Sequence, residues 1–159
     1  MLKYIPNSKI VIKENHKFVY KNMIDYFKGK KIVAFALPGA FTRTCSDYHL
    51  PAYEQEYESL KLLGIDEIYC ISMNDSYVME KWKEILEIKN VKFLPDGNGT
   101  FTNDMNMISD RSASGMGQRS FRYSMYVDDR QIIKLFKDEN GKYDFSDPKT
   151  MIKFLKERE

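Results

Sequence analysis

Residues 31–46 read KIVAFALPGAFTRTCS and contain the change of pattern that decides the fold. Residues 32–37 form a continuous apolar run that is too short for a helix and fits a strand buried on both faces. Pro38 and Gly39 end that run, because both residue types favour turns. A short polar turn then leads to Cys45, where a different periodicity begins. The stretch predicts a buried strand, a turn and the start of a helix.

Helical periodicity follows Cys45. Large apolar side chains recur there at three- and four-residue spacing, namely Leu50, Tyr53, Tyr57, Leu60 and Leu63. Gly64 follows as a stop signal, so we predict one helix over residues 45–63. Backbone amides at a helix N-terminus lack partners and lie at the positive end of the helix dipole. The position of Cys45 therefore favours a thiolate.

Strand-like and helical segments alternate through the rest of the chain. Short apolar or alternating runs predict strands at residues 65–73, 92–94, 121–127 and 132–136. Helix signals follow the capping residues 74–76, the turn at 95–99 and the pair Asp147-Pro148. The polar residues 109–122 are interpreted as a functional loop between patterned segments.

The order of these segments predicts an α/β protein. Strand, helix, strand and helix in succession favour parallel pairing, and a hairpin with a closing helix follows. This is a thioredoxin-like fold with a central mixed sheet flanked by helices. A β-hairpin at residues 9–12 and 17–20, followed by a helical turn at 23–27, extends it at the N-terminus. A chain of 159 residues suits one compact domain, so we predict a single domain over residues 1–159.

Composition excludes several classes of function. The net charge of +2 arises from 25 basic and 23 acidic residues that are mixed along the chain, which argues against nucleic-acid binding. No apolar run approaches the roughly 20 residues that span a bilayer, and residues 1–15 lack a secretory pattern, so a cytoplasmic protein is expected. No motif for a phosphate, haem or flavin group is present, so no cofactor is expected.

Cys45 needs partners before it can reduce a peroxide. The reaction requires a thiolate, a peroxide bond in line with the sulfur, and donors that stabilise charge on the departing oxygen. Thr42 precedes Cys45 by three residues, so its hydroxyl can fold back toward the sulfur. Spacing alone favours the plainer alternative, in which Thr42 or Thr44 is an N-cap.

The segment PGAFTRTCS at residues 38–46, followed by His49-Leu50-Pro51, closely resembles the active-site segment of peroxiredoxins of type II, the peroxiredoxin-five subfamily. Further matches occur in order at residues 72–75, at Trp82, at 95–99 and at 117–125. The resemblance covers nearly the whole chain from about residue 30. It implies a thiol-dependent peroxidase of antioxidant defence that reduces hydrogen peroxide and alkyl hydroperoxides through a sulfenic acid.

The resemblance also assigns roles to residues. It makes Cys45 the peroxidatic nucleophile, Thr42 its hydroxyl partner and Arg122 the activating arginine. The residues implied for the substrate pocket are Pro38, Gly39, Phe41 and His49. The family also implies a homodimer that forms through loops around the active site.

Three arginines in the predicted loop compete for the role of activating cation. Taken alone, Arg111, Arg119 or Arg122 is more often a solvated charge or a structural ion pair. The motif selects Arg122 and leaves Arg119 as an outer candidate. Arg43 is a departure, because the family usually has proline between the two threonines. The turn before Cys45 is therefore expected to be less rigid and more positive.

His49 lies four residues after Cys45, so a Cys-His ion pair or a metal pair is one reading. The chain has only two histidines, His16 and His49, so no metal site is expected. A structural or pocket-lining role for His49 is the preferred reading.

Cys70 is the one internal candidate for a resolving thiol. It falls in the strand predicted at residues 65–73, where a cysteine is commonly inert filler. A disulfide with Cys45 needs the two Cα atoms within about 7 Å, so the first helical turn would have to open. Relatives use such a cysteine for resolution or depend on glutathione and glutaredoxin. External reduction is slightly favoured here, with thioredoxin as the other donor.

Two alternatives belong to other functional classes. A thiol-disulfide oxidoreductase normally uses a Cys-x-x-Cys pair, whereas Thr42 stands where the second cysteine would be. A noncatalytic module on the same fold is the other alternative, because fold does not dictate function. The joint presence of Thr42, Cys45 and Arg122 argues against both.

Overall fold

A computed structural model describes residues 1–158 and begins with the predicted hairpin. Strands β1 (Lys9–Glu14) and β2 (Lys17–Asn22) pair antiparallel around Asn15 and His16. Both turn residues have positive φ, as a tight two-residue hairpin turn requires. The short helix α1 (Ile24–Phe27) follows, so both N-terminal predictions are confirmed.

The centre of the molecule is a mixed sheet of five strands, whose spatial order is β5-β4-β3-β8-β9. Their bounds are Lys31–Ala36 for β3, Glu67–Ser72 for β4, Lys92–Pro95 for β5, Tyr123–Asp128 for β8 and Gln131–Lys137 for β9. Strands β3, β4 and β5 are parallel, whereas β8 runs antiparallel to both β3 and β9. The predicted thioredoxin-like α/β fold is confirmed.

Both faces of this sheet are covered. Val33, Phe35 and Leu37 contact one apolar cluster, and Ile32 and Ala34 belong to a second cluster on the opposite face. The helices are α2 (Leu50–Gln55), α3 (Tyr57–Leu62), α4 (Ser76–Ile85), α5 (Thr100–Asp104) and α6 (Pro148–Arg158). None of the helices in residues 1–158 combines the length and the apolar character needed to cross a bilayer.

The helix after Cys45 differs from the continuous one predicted over residues 45–63. Residues Cys45–His49 form a π-helical turn, in which the amide of Leu50 donates to the carbonyl of Cys45. The helix breaks again at Glu56, where φ is −93° and ψ is 9°. Apolar spacing does not reveal either irregularity, because the side chains around each one still face the core.

The polar residues 109–122 are also more ordered than predicted. Strands β6 (Ile108–Asp110) and β7 (Gln118–Ser120) pair antiparallel around a short 3₁₀ turn. Consequently β8 begins at Tyr123 and not at residue 121. This small hairpin places Arg122 at the junction between β7 and β8.

Candidate active site

The turn between β3 and Cys45 is held by two long-range contacts. Nη1 of Arg119 donates to the carbonyl of Pro38 at 3.3 Å. The amide of Ala40 donates to Oδ1 of Asn74 at 2.9 Å. A Cβ at Gly39 would lie within contact distance of the Arg119 guanidinium, so a larger residue there would displace that side chain from the Pro38 carbonyl. Arg119 therefore supports the turn from outside the site, as the sequence suggested.

Thr42 makes neither of the contacts that its spacing suggested. Its hydroxyl donates to the carbonyl of Gly39 at 2.7 Å and forms no hydrogen bond to Cys45 among the described residues. It also caps no backbone amide there, although the Thr42 carbonyl accepts from the amide of Ser46 at 2.9 Å. Because the hydroxyl proton is used locally, the lone pairs of this oxygen are left to accept a hydrogen bond.

Cys45 begins the π-helical turn and is fully buried. The neighbouring residue anchors this turn to α4, because Nε1 of Trp82 donates to Oγ of Ser46 at 3.0 Å. Single π turns occur often at functional sites, where they redirect side chains relative to a regular helix. Here both Cys45 and His49 contact the side chain of Arg122.

Arg122 contacts Cys45 directly. Its Nη2 lies 3.3 Å from Sγ of Cys45, and only 8% of the arginine is exposed. The backbone of Arg122 is fixed as well, because its carbonyl accepts from the amide of Asp138 at 2.8 Å. The ring of Tyr143 lies 5.6 Å from the guanidinium carbon. Arg122 is thus a buried cation beside the sulfur and not a solvated surface charge.

His49 holds the other nitrogen of the same guanidinium. Nη1 of Arg122 lies 2.8 Å from Nδ1 of His49, and Nε2 of His49 lies 3.1 Å from the carbonyl of Ser146. Since a carbonyl only accepts, Nε2 carries the proton and Nδ1 is the acceptor for Arg122. Burial, followed by the charge of Arg122, lowers the pKa of His49 well below 6.5. The histidine is therefore neutral, and it orients Arg122 instead of pairing with Cys45.

The carbonyl of Ser146 is positioned by a buried carboxylate that sequence reasoning missed. Asp138 accepts from the amides of Asp144, Phe145 and Ser146, and from the hydroxyl of Ser146 at 2.6 Å. Tyr53 also donates to the Ser146 carbonyl, at 2.7 Å. Nothing in the local sequence marks Asp138, because its partners lie six to eight residues away in an irregular loop. It organises the loop against which His49 rests.

A cavity of about 170 Å³ opens beside this cluster. Pro38, Thr42 and Arg122 line it, as does the unusual Arg43. The other residues predicted for the pocket lie outside its wall, namely Gly39 under Arg119, Phe41 at the surface and His49 behind Arg122. A role of these three residues in substrate binding stays a prediction, whereas Pro38 lies in the wall of this cavity.

Cys70 lies on β4 and is fully buried, as predicted. Burial raises the pKa of its thiol well above the usual value, which leaves it protonated near neutral pH. Both cysteines are free thiols that belong to one apolar cluster. Cys70 forms no hydrogen bond with Cys45, Arg122 or His49 within residues 1–158, although the charges of Cys45 and Arg122 also act on the pKa of its thiol.

Comparisons with known proteins agree with this geometry. The family model described as Redoxin matches residues 6–152. A peroxiredoxin of Synechocystis is 49% identical over 137 residues, which make up 82% of this chain and 72% of that protein. Such extensive similarity shows the family.

Two solved structures share the whole fold. The reduced peroxiredoxin Prx3 from Vibrio vulnificus, in complex with hydrogen peroxide, has a TM-score of 0.90 and 33% identity and covers 96% of each chain. The Plasmodium falciparum antioxidant protein, a 1-Cys peroxiredoxin, has a TM-score of 0.90 and 35% identity and covers 97% of this chain and 98% of that one. The chain therefore belongs to the redoxin family and is a peroxiredoxin of the type II, or peroxiredoxin-five, kind, a thiol-dependent peroxidase.

Proposed function

We propose that Cys45 is the nucleophile with which this peroxidase reduces hydroperoxides, and that Arg122 and Thr42 are its partners. The observation that carries this assignment is the 3.3 Å contact between Nη2 of Arg122 and Sγ of Cys45. Both side chains are withdrawn from bulk water, which strengthens the interaction between their charges. A buried guanidinium stabilises the thiolate before the reaction and an oxyanion during it.

The reaction is a displacement at oxygen. The Cys45 thiolate attacks the OH oxygen of the hydroperoxide, a sulfur–oxygen bond forms and the oxygen–oxygen bond breaks. Sulfur is oxidised to sulfenic acid, and the departing hydroxide or alkoxide takes up a proton to leave as water or an alcohol. Arg122 stabilises the negative charge on that leaving oxygen.

Thr42 orients the peroxide in this proposal. Its hydroxyl proton is engaged by the Gly39 carbonyl at 2.7 Å, so its oxygen keeps lone pairs that can accept, and Thr42 lines the cavity. The O–H group on the attacked oxygen of the hydroperoxide can donate to this oxygen while Arg122 donates to the oxygens of the peroxide bond. The pair thereby distinguishes the two ends of the substrate and aligns the bond with Sγ.

The test is peroxide consumption by the purified protein. Wild type is expected to consume hydrogen peroxide in the presence of a thiol reductant, whereas Cys45→Ser is expected to be inactive because serine is a far weaker nucleophile. Cys70→Ser serves as the matched control for loss of a cysteine. Substantial turnover by a folded Cys45→Ser protein, confirmed by circular dichroism, contradicts the proposed mechanism.

The same geometry supports regeneration of Cys45 by an external thiol. Cys70 is buried within β4, and its raised thiol pKa disfavours the nucleophilic thiolate. The similar protein from Plasmodium falciparum is itself described as a 1-Cys peroxiredoxin. Both observations favour an external thiol over Cys70, and we propose glutathione with glutaredoxin as its source. Thioredoxin is the alternative, and steady-state turnover with each purified donor system distinguishes them.

Two exposed aromatic residues near Cys45 support a homodimer. Phe41 is 51% exposed, and Tyr48 nearby is 59% exposed. Exposed aromatic side chains beside an active site suit the homodimer expected from the family. A mass of one chain by light scattering at working concentration contradicts it. We also propose that residues 1–159 form a single domain. The location that we propose for the protein is the cytoplasm.

A further inference from the structure

Cationic side chains surround the cavity next to Cys45. Arg43, Arg111, Arg122 and Lys142 line it, together with Glu139 as the one carboxylate in its wall. The whole chain carries a net charge of only +2 from 25 basic and 23 acidic residues. The wall of this one cavity of about 170 Å³ carries a net charge of three, which is more positive than the whole chain. The positive charge is therefore concentrated at this cavity.

Three of these cations have no partner within residues 1–158. Arg122 is engaged by Cys45 and His49, whereas Arg43, Arg111 and Lys142 form no salt bridge there. Their side chains also form no hydrogen bond there, although Arg111 is partly buried. Five donors on each guanidinium and three on the ammonium are thus free to bind a ligand.

The chemistry of the cluster selects an anion. Guanidinium groups bind carboxylates through paired, charge-assisted hydrogen bonds, which fix the orientation of a ligand as well as its position. Arg43, Arg111 and Lys142 form no hydrogen bond with Cys45, Thr42 or Arg122 within residues 1–158, so the proposed catalytic contacts do not use them. The catalytic roles proposed for Cys45, Thr42 and Arg122 therefore do not account for these three cations.

We propose that Arg43, Arg111 and Lys142 form a subsite for the carboxylate of a small molecule that reacts at Cys45. The proposal rests on the assignment of Cys45 as the reacting group. The carboxylate can belong to the oxidant, as in a hydroperoxide of a fatty acid, or to the reductant, as in glutathione. In either case the subsite raises the rate of the charged reactant relative to a neutral analogue.

Alkylation of Cys45 tests the subsite without peroxidase activity. Iodoacetate and iodoacetamide differ by one carboxylate and alkylate the same thiolate, and Cys70→Ser removes the competing cysteine. The rate constant for iodoacetate is divided by that for iodoacetamide, and this ratio is divided by the same ratio for free cysteine. The result is expected to exceed one. It should fall about two-fold on each neutralisation and about eight-fold in Arg43→Gln/Arg111→Gln/Lys142→Gln.

Lys28→Gln is the matched control, because Lys28 is exposed, lies outside the cavity and forms no salt bridge with the described residues. The normalised alkylation ratio of Lys28→Gln should equal that of the Cys70→Ser protein into which the charge variants are introduced. Equal ratios in the parent and the triple variant overturn the proposal, as does an equal fall in Lys28→Gln. If the triple variant fails to fold, Arg43→Gln alone is compared with Lys28→Gln by the same criterion.

Two further pairs of reactants identify the source of the carboxylate. Reduction of the Cys45 sulfenic acid is compared between glutathione and neutral 2-mercaptoethanol, and its formation between linoleic acid hydroperoxide and the methyl ester of that hydroperoxide. A fall in the first ratio in the triple variant assigns the subsite to the thiol, and a fall in the second assigns it to the oxidant. No change in either ratio overturns the proposal. Failure of wild type to consume hydrogen peroxide, with alkylation selectivity intact, would reject the peroxidase assignment alone.

Discussion

Arg122 is held between Cys45 and His49 by the two ends of one guanidinium. Nη2 lies 3.3 Å from Sγ of Cys45, and Nη1 lies 2.8 Å from Nδ1 of His49. A neutral imidazole that accepts from arginine fixes the plane of the guanidinium without neutralising its charge. The full charge therefore remains available to the sulfur and to the reacting oxygen.

Replacing Arg122 should slow peroxide reduction strongly. Arg122→Met removes the cation beside Cys45 and is expected to lower kcat/KM for hydrogen peroxide by about 10²-fold or more. Arg122→Lys keeps the charge but loses the planar fork, so it should fall between wild type and Arg122→Met. Stopped-flow measurement of Cys45 oxidation gives these rates. An unchanged rate in a folded Arg122→Met protein would show that Arg122 does not contribute to peroxide reduction.

His49 should make the protein less stable at acid pH. Its pKa is well below 6.5 in the folded state, so below about pH 6.5 the unfolded chain binds a proton that the folded chain does not. The free energy of unfolding should therefore fall as pH falls, by at most about 1.4 kcal/mol per pH unit from this group. Above pH 7 this contribution should be constant.

The comparison of two histidine variants isolates that effect. Urea unfolding of His49→Asn between pH 5 and 7 should show a smaller pH dependence than wild type, because the titrating ring is gone. His16→Asn is the control, since His16 lies in the exposed β1–β2 turn and asparagine tolerates its positive φ. An equal slope in wild type and His49→Asn contradicts the assignment of a buried neutral histidine.

Loss of the Asp138 carboxylate should affect both stability and catalysis. Asp138→Asn replaces one acceptor oxygen by an amide that faces donors, which should cost about 2–4 kcal/mol of unfolding free energy. The kcat/KM should also fall, because the Ser146 carbonyl that holds His49 depends on this loop. Exposed Asp144 provides the control variant, Asp144→Asn. Wild-type stability and wild-type kcat/KM in Asp138→Asn together contradict this role.

Cys70 is predicted to be silent. Cys70→Ser should retain turnover with glutathione and glutaredoxin, since the thiol of Cys70 is buried and protonated. Mass spectrometry of the peroxide-treated wild type should detect no bond between Cys45 and Cys70. Observation of that bond, with loss of activity in Cys70→Ser, makes this a two-cysteine enzyme. A bond seen only after prolonged oxidation indicates helix opening that is too slow to compete with an external thiol.

The strands and the turns could be predicted because their causes are local. The apolar run at residues 32–37 and the largely buried β8 follow from which side chains must be buried. The predicted hairpin of residues 121–127 and 132–136 is confirmed, and its turn has positive φ at Asp129 and Arg130. The π-helical turn at Cys45 could not be predicted, because a local change from four- to five-residue hydrogen bonding leaves the apolar spacing almost intact.

The amino-acid sequence alone was enough to predict the thioredoxin-like fold and to nominate Cys45, Thr42 and Arg122, since burial pattern, turn residues and a family motif are all written in the order of the chain. Tertiary structure was needed to show that Arg122 meets His49, 73 residues away, and that His49 meets Ser146, 97 residues away. It also separated the residues that line the cavity from their neighbours in sequence. Local periodicity predicts that a polar side chain is buried or exposed, but the identity of its partner depends on how distant segments pack.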